Sequence, residues 1–156
     1  MAVTPPIPPN TNNVSVTGPE DNPINVPLSG TDLDGTVVSF NVVTSLPANG
    51  VLVYATGPNA GQAVKVGDLI PATGNAATIT FIPNQDWNGT TTFQYQAKDN
   101  AGLVDASPAT ATITITPVND PPTTQDSSGS GVEDTPGVSL VLKGADVDGT
   151  VASFTI

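Results

Sequence analysis

The stretch TTTFQYQAKD at 90–99 places Phe93, Tyr95 and Ala97 on one side of an extended chain. Apolar residues at every second position fit a strand with one buried face and do not form a helical stripe. The same period returns in AATITFIP at 76–83, where Ile79 and Phe81 turn inward, and in ATATITITPV at 109–118, where Ile113 and Ile115 do. TVVSFNVV at 36–43 sets Val38, Phe40 and Val42 on one face. Shorter runs complete the series: NVSVT at 13–17, INVPL at 24–28, VLVYA at 51–55, QAVKVG at 62–67 and LIP at 69–71. INVPL, which contains Pro27, reads as an edge-type strand, because proline cannot donate to a ladder. Seven to eight strands and no helical stripe of ten residues predict an all-β fold, an antiparallel Greek-key β-sandwich of about 100 residues. Phe40, Ile79, Phe81, Phe93, Tyr95, Ile113 and Ile115 are its expected core, with Trp87 at one end.

A second constraint is repetition. PEDNPINVPLSGTDLDGTVVSFNV at 19–42 returns as VEDTPGVSLVLKGADVDGTVASFTI at 132–156, with Glu20-Asp21 113 residues before Glu133-Asp134. Asp32 and Asp34 lie 114 residues before Asp146 and Asp148, after one inserted residue. A period of this length exceeds a solenoid unit and matches whole sandwich domains in tandem. The expected layout is a proline-rich linker over 1–11, a complete repeat over 12–118, a linker over 119–131 and the truncated start of a following repeat over 132–156. That last segment holds only the first two or three strands of a repeat. It is expected to be swapped with another copy, packed against the first domain, or flexible.

Fourteen acids stand against Lys65, Lys98 and Lys143, for a net charge of −11. Such a chain repels phosphate backbones, which argues against nucleic-acid binding. The charge serves either as a self-repelling, soluble surface or as a site for divalent cations, and the acids' placement beside turns favours the second. With no cysteine and no histidine, thiol catalysis, most zinc and haem chemistry and disulfides drop out. This fits an extracellular bacterial protein stabilised by other means. MAVTPPIPPN at the start has neither the basic region nor the apolar helix of a signal peptide, and no run reaches membrane-spanning length.

In GTDLDG, Asp32 and Asp34 alternate with Leu33, so both carboxylates face one side of an extended chain and Gly35 permits a sharp exit. Oxygen ligands in turns suit calcium, although turns attract Asp and Gly without any metal. The recurrence at Asp146 and Asp148 strengthens the metal reading. Glu20, Asp86, Asp99, Asn119 and Asp120 complete the candidate ligands. Each has a plain structural alternative: a solvated acid, an Asx-turn, a hairpin signal and a bent linker.

PED, TDLDGTVVSF, LPANGVL, ITFIPNQDWNGTTTFQYQAKDNAG and TATITITPVNDPP together cover nearly all of 17–122. In these pieces the chain resembles the cadherin-like, immunoglobulin-like tandem repeats of giant bacterial surface adhesins of the RTX type. The resemblance implies secreted modules stacked end to end, often rigidified by calcium between neighbours, and partners that are adjacent repeats of the same polypeptide. It would place Glu20 and Asp86 at the lower end of the first module, Asn119 and Asp120 in the linker, and Asp146 and Asp148 at the top of the second. Asp32, Asp34 and Asp99 would face the preceding linker. NQDWNG departs from animal cadherins in lacking their Asp-Arg-Glu run, and VNDPP is poorer in acids than their linker.

Catalysis has little support, because no histidine or cysteine is present to activate a nucleophile and no aromatic cleft accompanies Asp32 and Asp34. A carbohydrate-binding sandwich is the stronger rival to a spacer, with Trp87, Tyr54 and Tyr95 as possible ring platforms. Three clustered, exposed rings would favour sugar binding. Scattered or buried rings favour an extracellular structural spacer.

Overall fold

The computed structural model describes residues 5–134 and 136–156. Internal contacts divide the chain after Pro117 into a first unit and a second unit, Val118–Ile156. In the first unit, β1 (Asn10–Thr11), β2 (Val14–Pro19), β3 (Ile24–Thr31), β4 (Val37–Val42) and β5 (Gly50–Tyr54) are followed by β6 (Ile70–Pro71), β7 (Ala76–Pro83), β8 (Gly89–Asp99) and β9 (Ala109–Thr116). They form two sheets, ordered β1-β3-β7-β5 and β2-β9-β8-β4-β6. The inner faces make one core around Val26, Leu28, Phe40, Leu52, Ile79, Phe81, Tyr95 and Ile113, all nearly or wholly inaccessible. The all-β sandwich read from the alternation is the observed fold. The seven expected core residues are all buried.

Three local readings change. Val38 is exposed and Val37 buried, because the β4–β8 register shifts between Val37 and Ser39. A bulge inserts one residue and turns the next side chain to the opposite face, after which Phe40 and Val42 point inward as expected. INVPL is not on the outside of its sheet, since β3 lies between β1 and β7. Yet β1 covers only Gly30 and Thr31, so β3 is open on that side at Pro27 and tolerates the missing donor. QAVKVG forms no strand of its own. A single bridge joins Ala63 to Val53, and the buried Val64 donates its backbone N–H to the Leu52 carbonyl at 2.8 Å.

The sandwich also departs from an all-antiparallel arrangement. β2 runs parallel to β9 over six residue pairs, from Val14↔Ala111 to Pro19↔Thr116.

In the second unit β10 (Thr123–Gln125) pairs antiparallel with β11 (Lys143–Ala145). The register Thr123↔Ala145 and Thr124↔Gly144 repeats Asn10↔Thr31 and Thr11↔Gly30 of the first unit, displaced by the offsets seen in the sequence. A strand thus stands at 10–11 and another at 123–125, both in stretches expected as linker. Residues 138–142 and 151–156, which have strand-like alternation, lie outside β10 and β11. Leu140, Leu142 and Phe154 are 50%, 39% and 39% exposed. Their counterparts Val26, Leu28 and Phe40 are buried in the core, on strands β3 and β4 that pair with β7 and β8. Without a partner strand there is no ladder to hold an extended chain.

Candidate functional site

β3 separates the acidic candidate ligands of the first unit into two groups, one near its start and one near its end. At the first end, β2 runs into Glu20 and Asp21. The Glu20 backbone N–H continues the ladder by donating to the Thr116 carbonyl at 2.9 Å. Its side chain is only 3% exposed and its Oε2 accepts from Asn88 Nδ2 at 3.3 Å. Asp21 takes the left-handed conformation (φ 60°), as does Asp86 (φ 56°) in the β7–β8 turn. Short polar side chains tolerate this geometry best. The Asp86 backbone N–H donates to Asp21 Oδ1 at 2.9 Å, and carboxylate oxygens of the two residues lie within 4.8 Å of each other. Two oxygens on one calcium ion are separated by at most roughly 5 Å, given calcium–oxygen bonds of about 2.3–2.6 Å. The pair therefore fits a shared divalent cation.

At the other end, Asp32 Oδ1 accepts from the Asp34 backbone N–H at 3.3 Å. The Asp34 carboxylate in turn accepts from the Ile7 backbone N–H, at 3.1 Å to Oδ2 and 3.3 Å to Oδ1. Asn100 Oδ1 accepts from Thr36 N at 2.7 Å, while Asn100 N donates to the Thr36 carbonyl at 3.0 Å. Gly35 is required by space: a Cβ there would stand 2.3 Å from Asn100 Oδ1 and 2.6 Å from Asp32 Oδ2. Leu33, at the tip of this turn, is 88% exposed. Asp99 is buried, and its Oδ1 accepts from Leu103 N at 2.7 Å, closing the turn that follows β8.

The second unit repeats this turn. Asp146 packs on Gly149 as Asp32 packs on Gly35. Asp148 Oδ2 accepts from the Asp120 backbone N–H at 3.3 Å, and Asn119 Nδ2 donates to the Asp120 carbonyl at 3.1 Å. Asp146 Oδ1 is buried and has no hydrogen-bonding partner among the described residues. A carboxylate oxygen in that position is normally paired, so this atom has capacity for a cation.

Two acids of structural weight escaped the sequence reading. Asp21 stood beside Glu20 in the repeated Glu-Asp pair, and that pairing was its available signal. Asp105 is 6% exposed; its Oδ2 accepts from Thr11 N at 2.7 Å and its Oδ1 from Ser107 N at 2.8 Å. Burial alone would raise the Asp105 carboxyl, but hydrogen bonds from Ser107 and from the hydroxyl and backbone of Thr11 hold it below the usual carboxylate value. The Asp-x-Ser spacing of an Asx-turn was the only local hint.

The aromatic residues form no exposed platform. Tyr95 is inaccessible, Tyr54 is buried beside Asp68, to which its hydroxyl donates at 3.3 Å, and Trp87 packs partly against the core. A cleft of about 510 Å³ opens beside Tyr54, Pro58, Asn59, Ile70 and Thr73, and neither a carboxylate nor an amine lines it.

A 35%-identical relative over 83 residues is integrin beta-like protein A of Dictyostelium discoideum; the match takes 53% of this chain and 4% of that protein. Among solved structures, a chain of a type I cohesin–dockerin complex from Clostridium thermocellum aligns over 70% of this chain and all of its own, at 13% identity and a TM-score of 0.39. Murine CEACAM1b aligns over 90% of this chain and 69% of its own, at 17% identity and a TM-score of 0.33. The family described as "Bacterial Ig domain" matches residues 4–116. The chain belongs to the bacterial Ig domain family, and its role is non-enzymatic.

Proposed function

We propose that this chain is an extracellular structural spacer from a large bacterial surface adhesin, in which Ig-like modules stack end to end and calcium stiffens the junctions. One observation carries the reading: a hydrogen bond and a strand register at the entry to the first module recur after its exit. Ile7 N–H to Asp34 returns as Asp120 N–H to Asp148, and the β1–β3 register returns in β10–β11. The interval, 113 residues before the inserted position, equals the length of the family match over 4–116. A chain built this way presents a module, then the start of another, as a tandem array requires.

The metal reading rests on an oxygen-only donor set. Asp21 and Asp86 would hold the ion, with Glu20 beside them. Asn119 and Asp120 lie within four residues of Thr116, whose carbonyl accepts from Glu20. Four residues of extended chain reach roughly 13 Å, so the linker has the length to add ligands. Asp146 and Asp148 would serve the top of the following module, and Asp32, Asp34 and Asn100 the top of this one. A bound cation would neutralise carboxylates that otherwise repel one another across the −11 chain, and so couple ion occupancy to the order of the linker. Partners in this reading are neighbouring modules of the same polypeptide.

Thermal unfolding in calcium, in magnesium and in chelator tests the proposal. With dissociation constants of about 0.1–1 mM, usual for extracellular calcium modules, 10 mM calcium adds about 1.4–2.7 kcal/mol. The melting temperature is expected to rise in calcium, and the rise to vanish in an Asp21→Asn/Asp86→Asn double variant. Equal melting temperatures of the wild type in calcium and chelator would contradict it.

A further inference from the structure

The sequence holds two Asn-Gly pairs, Asn49-Gly50 and Asn88-Gly89. Asparagine followed by glycine is prone to spontaneous deamidation, because glycine has no Cβ to keep its backbone nitrogen away from the preceding side chain. The two pairs differ in their surroundings and in what an added charge would meet. From that difference we infer that Asn88 is the deamidation site of the folded module, and that the product sets a second carboxylate against Glu20.

The reaction needs room for the backbone to turn. The Gly89 nitrogen bonds to Asn88 Cγ, the Cγ–Nδ2 bond breaks, and Nδ2 leaves as ammonia with the proton from Gly89. Water then opens the five-membered imide at one of its two carbonyls. Its hydroxyl goes to that carbon and its other hydrogen returns to the Gly89 nitrogen. Attack at the side-chain carbonyl gives aspartate at 88, and attack at the main-chain carbonyl gives isoaspartate. Either product carries a carboxylate.

Around Asn49 the turning movement is blocked. Asn49 is held in the left-handed conformation (φ 62°), and its carbonyl accepts from Asn84 N at 2.9 Å, which carries the β5–β7 ladder past Gly50. Gly50 is enclosed, since a Cβ there would press on the Phe81 ring and stand 2.5 Å from the Ile82 carbonyl oxygen. Asn88 and Gly89, by contrast, are both exposed. Asn88 lies between the β7–β8 turn and the start of β8, and Gly89↔Ile115 is the end pair of the β8–β9 ladder, where opening is easiest. The atoms nearest a Cβ at Gly89 belong to the Trp87 side chain, not to backbone.

The consequence lies at Glu20. Asn88 Nδ2 donates to Glu20 Oε2 at 3.3 Å, and Glu20 is 3% exposed. Deamidation exchanges that donor for a carboxylate. Two like charges this close, one of them buried, are poorly screened by solvent. The turn after β2 and the turn before β8 then repel where they were joined. Asp21 and Asp86, linked by the Asp86 N–H to Asp21 Oδ1, stand in the same two turns and add to the negative field. Ageing thus loosens this end of the module without any change in its fold.

Incubation of the full chain in chelator at mildly alkaline pH, followed by peptide mass mapping, reads the conversion at both positions. In the folded chain the acid is expected to accumulate at 88 several-fold faster than at 49. In denaturant the two rates should converge. Equal rates in the folded chain, or a faster reaction at 49, would overturn the assignment. So would a difference that persists in denaturant, because its cause would then be local sequence. Melting of two variants in chelator tests the consequence. Asn88→Asp should melt below Asn88→Ala, which removes the same hydrogen bond without adding charge. Equal melting temperatures, or the reverse order, would reject the repulsion. Both measurements are made without calcium, so their outcome is independent of the calcium reading.

Discussion

The backbone N–H of Thr11 donates to Oδ2 of Asp105 across 2.7 Å, joining the second residue of β1 to a side chain 94 positions later. Thr11 Oγ1 accepts from Ala97 N at 2.9 Å, and the Tyr95 hydroxyl donates to the Asn12 carbonyl. A two-residue strand thus owes its position to side chains from β8 and the loop after it. Replacing Asp105 with Ala leaves the backbone donors of Thr11 and Ser107 without their acceptor, and is expected to cost about 1–3 kcal/mol by chemical denaturation.

The same carboxylate sets a pH dependence. Its folded-state value lies below the ordinary one, so the stability it adds is fully present above the unfolded carboxylate value of about 3.9 and is lost as pH falls through the lower folded value. Asp105→Asn removes that dependence. The difference in melting temperature between wild type and variant should be constant from about pH 7 to pH 5 and shrink below pH 4. A difference that grows on acidification would contradict the assignment.

Phe93 is 2% exposed, with its ring centroid 6.1 Å from that of Tyr95. Phe93→Ala should cost about 3–5 kcal/mol, since the neighbouring side chains on two sheets cannot all collapse into the space. Denaturant unfolding with an unchanged slope reads this directly.

Gly35→Ala forces a methyl group against Asp32 Oδ2 and Asn100 Oδ1. The side chains must move, and Asn100 then loses its bond to Thr36. An expected loss of about 1–3 kcal/mol follows from overpacking, and a neutral effect on the melting temperature would show that the turn yields freely.

The alternation of strands such as TFQYQA was sufficient to read the sandwich and its core, because side-chain period and burial coincide wherever the ladder is regular. Val38 was misread because a bulge is set by the partner strand, which local sequence does not display. The parallel partner of β2 was likewise invisible: NVSVT shows a weak alternation but nothing about its neighbour. The repeated Glu-Asp and Asp-x-Asp-Gly stretches were legible as sites of acids in turns. That Asp99 is buried, and that Asp105 fastens β1, depends on residues many positions away.

In the second unit, 138–142 and 151–156 have the sequence of strands without strand partners. Their amides should exchange fast with solvent, while those of the counterpart segments at 24–28 and 37–42 are protected. Hydrogen exchange followed by mass spectrometry resolves the two. Protection at 138–142 that grows with protein concentration would instead indicate strand exchange between copies, which light scattering against a chain ending at Pro122 would detect as dimers.

Backbone ¹⁵N relaxation of the whole chain, measured in calcium and in chelator, tests the calcium-stiffened junction most directly. In calcium, residues 118–125 are expected to lose their fast internal motion and to share the rotational correlation time of the first unit. In chelator they should tumble separately. Identical relaxation in the two conditions, with the linker mobile in both or rigid in both, would contradict a junction ordered by calcium.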